Sequence, residues 1–249
     1  MNSINIKNSF IKFVKIHHRV MLKLLNLRLA FCLPSKPKTN YYIGLGTNCY
    51  ARYIPVRIGI KSKKKAGELS YPFDLCVTSV NNIAQILENN FEDYVENIIE
   101  SPLMDNDNRP YIYRNKKYDI NYIHDNDIDS LEKIKKRYEK RIENFITISE
   151  NQEEVVYLMF VFLNEFTPID LNSIYSSLEK YRNSKPFKFA VFSFTDTFTN
   201  IKEKLNPNII YNEYIPHCGA ATYKSNWHSY NSFFEEPIIK DVCKDICNL

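Results

Sequence analysis

The chain has 249 residues and a formal net charge of +4, with 44% apolar and 25% charged residues. That composition supports a large buried core and excludes a disordered chain. Only five glycines occur, four of them between Gly44 and Gly67, which excludes collagen, a Gly/Ser linker and a glycine-punctuated repeat array.

Residues 1–40 carry eight Lys or Arg and no acidic residue, leaving 25 basic against 29 acidic residues in the remainder. The body is therefore mildly acidic, which argues against a nucleic-acid partner. Within the leader, residues 9–32 mix Phe10, Phe13, Val14, Val20, Leu24 and Leu25 with Lys12, Lys15, Arg19, Lys23 and Arg28. No apolar run approaches the ~20 residues that span a bilayer. The pattern predicts a basic amphipathic helix that is seated on an anionic membrane surface, serves as a targeting leader, or packs on the domain. Pro34 and Pro37 mark a linker, so the division expected is a leader over 1–40 and a single domain over 41–249.

In chain order, YYIGLG from residue 41 predicts a short strand ending in glycine. CYARYIPVRIGI predicts a short helix interrupted by Pro55, followed by a charged loop. SYPFDLCVTS (70–79) predicts a turn and an extended stretch, and VNNIAQILENNFEDYVENII a helix. Residues 102–127 predict loops with a hairpin around YIYRNKKYDINYIHD. Residues 128–150 give the clearest helical spacing, through Ile128, Leu131, Ile134, Tyr138, Ile142, Phe145 and Ile146. VVYLMFVF, FKFAVFSF and NIIYNEYI predict three strands, separated by a helix over LNSIYSSLEKYRN and another around 197–205. Unbroken β-branched and aromatic runs between helices predict a layered α/β fold with a mostly parallel sheet.

Six cysteines are scattered without a disulfide or zinc spacing, which fits a reducing, cytoplasmic setting, peripheral at a membrane if the leader attaches there. No metal is expected. IGLGTNC places Cys49 just after a strand and a tight turn, where a helix can begin. The positive end of a helix dipole favours a thiolate, and Gly46, Thr47 and Asn48 would line the substrate side of that turn. Backbone amides there could face an oxyanion, and Thr47 or Asn48 could cap the helix. Cys49 stands where a dinucleotide fingerprint needs its third glycine, so no cofactor is expected.

A cysteine nucleophile needs a base. His124, in NYIHDND, is flanked by acids, which favour imidazolium; His217 and His228 are reserves. In SYPFD, Pro72 imposes an extended or turn conformation and permits a cis bond, Tyr71 and Phe73 would shape the pocket, and Phe73 would fix the direction of Asp74. Asp74 could orient His124 or cap the following helix, and Asp125 is the other candidate orienting carboxylate.

The ordered set LGTNC, SYPFDLCVTS, NNFEDY, HD and KRYEKRIENF resembles the family of papain-like cysteine peptidases catalogued as a domain of unknown function. The resemblance runs from about residue 41 to 165. It implies a Cys–His hydrolase with Cys49 as nucleophile, His124 as base and Asp125 or Asp74 as third member. It also implies a helix-borne cysteine facing an antiparallel sheet that carries the histidine. The chain departs from the pattern at Leu75, where such proteins commonly carry Trp.

Three functions follow as expectations. The first is a cysteine hydrolase or acyl-transferase acting on a peptide, isopeptide, amide, thioester or glycan-linked substrate. The second is a transferase or binding protein of surface-glycan or nucleotide-sugar metabolism, using the aromatic and Asn/Asp-rich loops. The third is an interaction protein that works through its leader at a membrane surface.

Overall fold

The computed structural model describes residues 41–57, 61, 69–101, 113–125, 130–162, 165–216 and 219–220. The expectations for the leader, for the loop over 102–112, and for His217 and His228 lie outside these residues. Four strands form the central sheet: β1 (Tyr41–Gly44), β5 (Val155–Phe162), β6 (Phe187–Phe194) and β7 (Ile209–Tyr214). Their order is β1-β5-β6-β7 and every pairing is parallel. A second, antiparallel sheet joins β2 (Ile98–Glu100), β3 (Tyr113–Asn115) and β4 (Ile120–Asn121). The helices are α1 (Tyr50–Arg57), α2 (Val80–Glu88), α3 (Leu131–Ser149) and α4 (Pro168–Arg182).

The α/β reading holds, and its cause is visible in β5. All eight residues of β5 are buried, because both faces of the sheet are covered. Val155, Tyr157, Met159 and Val161 join the main core together with residues of α2, α3 and α4. On the opposite face, Phe160 stacks on Phe192 at 5.0 Å and Phe162 on Phe194 at 4.8 Å. Tyr50 of α1 meets the same aromatic row, 5.4 Å from Phe162. Burying each such side chain contributes roughly 1.5–3 kcal/mol.

Side chains set the helix starts. Ser79 accepts from the Asn82 amide at α2 and Ser130 from the Lys133 amide at α3. Thr167 and Asp170 form a reciprocal capping box at α4, with Pro168 in its first turn. The cap of α2 is thus Ser79 and not Asp74.

Three local expectations are corrected. The helix expected through Ile99 stops at Glu88, since Asn90, Phe91 and Asp93 all take positive φ and Ile98–Glu100 form a strand. Phe91 is drawn into that turn by burial, its ring 5.3 Å from Phe145 and 5.8 Å from Phe73. The helix expected around 197–205 is a single 3-10 turn, Ile201–Lys204, whose N-cap Asn200 makes no side-chain cap bond. Pro55 does not interrupt α1, which runs through it. Every described peptide bond is trans, including the one before Pro72.

Candidate active site

The turn after β1 is where the expected nucleophile stands. β1 ends level with Leu158, and the Leu45 amide donates to the Leu158 carbonyl at 2.7 Å. The chain then leaves the sheet while β5 continues. Side chains replace the missing ladder bonds: Thr47 Oγ1 donates to the Phe160 carbonyl at 3.1 Å, and Asn48 Nδ2 to the same oxygen at 3.3 Å. Asn48 Oδ1 accepts from the Tyr50 amide at 2.9 Å, so Asn48 caps α1 as expected of this residue type. The Cys49 carbonyl accepts from the amides of Arg52 and Tyr53, which opens the helix. Cys49 is half-buried at that N-terminus. Burial pushes its thiol above the ordinary 9.0, and its own backbone amide offsets only part of this.

The SYPFD turn packs beneath. A Cβ on Gly46 would lie 2.2 Å from the Asn48 carbonyl oxygen and 3.0 Å from that of Phe73, so only glycine fits. A Cβ on Gly44 would lie 3.0 Å from Asp74 Oδ1. Asp74 is fully buried; Arg52 of α1 and the Tyr71 amide donate to its Oδ2, and Lys61 Nζ lies 3.9 Å from Oδ1. Lys61 also donates to the Tyr42 carbonyl and sits over the Tyr71 ring at 4.8 Å. Tyr71 and Phe73, expected to shape the pocket, are buried in the core beneath the turn. Leu75, the departure from the motif, is half-buried.

One short segment links the cysteine turn to the histidine. The Thr78 amide donates to the Thr47 carbonyl at 3.3 Å, while Val77 exchanges both backbone bonds with Asn121 of β4. His124 follows three residues after Asn121 and is exposed. Cys49 thus stands between a parallel strand and the first residue of α1, and His124 lies in the turn that follows the small antiparallel sheet.

Asp125, the neighbour of His124, is buried and held by α3. Arg137 Nη1 donates to Oδ1 at 2.6 Å, Tyr138 Oη to Oδ2 at 2.8 Å, and Arg141 bridges both oxygens at 3.1 Å each. Burial pushes its carboxyl up, but Arg141 and the hydrogen bonds outweigh this and hold it below the ordinary 3.8. Asp74 and Asp125 are thus contacted directly by different cations. Cys76, between the two clusters, is fully buried and its thiol is pushed up to about 12, chiefly by burial.

The residues 40–197 match the model of the family described as "Putative papain-like cysteine peptidase (DUF1796)". The chain belongs to this family. No curated protein and no solved structure matches the chain. The peptidase-family motifs now have structural meanings. LG and SYPFD pack on each other, NNF supplies Phe91 between Phe73 and Phe145, and RYxxRI holds the Asp of HD.

Sequence reading missed Arg52, Lys61, Arg137 and Arg141. For Arg141 a signal existed: it occupies the buried stripe of α3 with Ile134, Tyr138 and Phe145. Among the described residues, no group of three His, Cys, Asp or Glu could hold a metal, and no helix is long and apolar enough to cross a membrane.

Proposed function

We propose that the chain is a cysteine-dependent hydrolase or acyl-transferase in which Cys49 attacks a carbonyl carbon and His124 moves the proton. One observation carries this reading. The side chains of Thr47, Asn48, Phe73, Asp74, Asp125, Tyr138, Arg141 and Phe145 are each used inside the fold as tether, cap, ion pair or core. The Cys49 thiol is the half-buried motif group left at a helix N-terminus, beside a sheet's carboxyl edge where α/β ligand sites gather.

The chemistry follows from the thiol's environment. A thiol raised above 9.0 is mostly protonated at neutral pH, so the base must take its proton as attack proceeds. His124 then returns the proton to the leaving amine, alcohol or thiol. Water or an acceptor nucleophile releases the acyl group from Cys49. The Tyr50 amide is engaged by Asn48, so the oxyanion donors of this reading are the backbone amides of the turn from Gly46 to Cys49. Peptide, amide and thioester substrates all suit this chemistry.

The test is turnover of 4-nitrophenyl acetate and of a peptidyl-aminomethylcoumarin panel by the full chain and by Cys49→Ala. The variant should melt with the parent and lose turnover by about a hundredfold or more. A Cys49→Ala protein that retains turnover defeats the reading.

A further inference from the structure

A carboxylate offers about four lone-pair sites. In Asp125 all four are occupied: Oδ1 accepts from Arg137 and Arg141, and Oδ2 from Tyr138 and Arg141. No site remains for an imidazole N–H. The helix that fills them also reaches the other half of the site. Asn144 Nδ2 donates to the Ser70 carbonyl at 3.1 Å, and Phe145 packs on Phe91, which packs on Phe73. Residues 137, 138, 141, 144 and 145 lie on one face of α3, by their spacing of three and four. That face therefore grips the segment carrying His124 and the turn lying under Cys49.

We propose that α3 acts as a ruler between the Cys49 turn and the His124 segment, with Asp125 a positioning residue that anchors the segment and does not orient the imidazole. Arg141 is the central grip, since it binds Asp125 bidentately and also feels the field of Asp74. This inference rests on the Cys49–His124 reading above.

The experiment measures kcat/KM for 4-nitrophenyl acetate against pH in the full chain, with its thermal midpoint. The variants are His124→Ala, Asp125→Asn, Arg141→Lys and Tyr138→Phe. The acid limb of kcat/KM reports the base of the free enzyme. Asp125→Asn and Arg141→Lys should lower the plateau alike, by about tenfold through misplacement, and leave the limb where it was. Tyr138→Phe keeps its ring and loses one hydrogen bond, so it should give a smaller drop with the limb unmoved. If the other two fail to fold, this variant decides.

An acid limb that moves down by about one unit in Asp125→Asn, with Arg141→Lys unaffected, makes Asp125 the imidazole's partner and overturns the inference alone. So does a Tyr138→Phe plateau equal to the parent's. A parent profile with no limb that His124→Ala removes defeats the base assignment, and the inference with it.

Discussion

Gly46 approaches Phe73 so closely that a Cβ on it would stand 3.0 Å from the Phe73 carbonyl oxygen, and 2.2 Å from that of Asn48. Both obstacles are backbone, so neither can rotate away. Gly46→Ala must therefore push the cysteine turn off the SYPFD turn, at a cost of about 2–4 kcal/mol. Denaturant unfolding should show this directly. At Gly44 the nearest atom is Asp74 Oδ1, also at 3.0 Å but on a side chain, so Gly44→Ala should cost less than Gly46→Ala. Equal costs would mean that the Asp74 carboxylate is as immobile as the backbone.

The Arg52–Asp74 pair is buried on both sides. Arg52→Met leaves that buried carboxylate with the Tyr71 amide and with Lys61 at 3.9 Å, without its close cation, and should cost about 3–5 kcal/mol. Arg52→Met combined with Asp74→Leu removes both members of the close pair. It should recover part of that loss in a thermal or urea melt. A double variant no better than the single would show that shape, not charge, governs the site.

The same physics explains what the sequence made legible. β5 and β6 were readable to the residue because burial on both faces demands unbroken apolar runs. The end of α2 was not, because Phe91 takes φ 61° to reach Phe73 and Phe145, which are distant in sequence. In α3 the spacing found Ile134, Tyr138 and Phe145, but Ile146 is exposed while Arg141 is buried. An arginine inside an apolar stripe signals a buried carboxylate without naming it. The cysteine turn was legible from Gly44, Gly46 and Cys49. The cations that hold Asp74 and Asp125 come from other elements, so local pattern did not pair them.

Asp125 gives a pH dependence of defined sign. Its folded pKa lies below 3.8, so its contribution is fully present above the unfolded value. That contribution fades as pH falls through the folded value. Between pH 7 and pH 4 the parent should hold its thermal midpoint with respect to this group, and lose it below. Asp125→Asn should start lower and show a shallower decline below pH 4. A parallel decline in both proteins would assign the acid loss to other carboxylates.

Cys49 titrates in the opposite range. Burial favours the neutral thiol, so its pKa lies above 9.0 and the thiolate is scarce at neutral pH. At neutral pH the thiol form dominates, and iodoacetamide reacts with the thiolate alone. Alkylation of Cys49, followed by peptide mass spectrometry, should rise about tenfold per pH unit from pH 7 to 9 and continue beyond. Cys76, at about 12 and fully buried, should stay unlabelled in the folded chain over that range. Labelling of Cys76 would report unfolding and serves as an internal control. A Cys49 plateau reached below pH 8.5 would demand a cation or imidazolium against the sulfur. The reaction would then begin from a preformed ion pair and not from a thiol that yields its proton during attack.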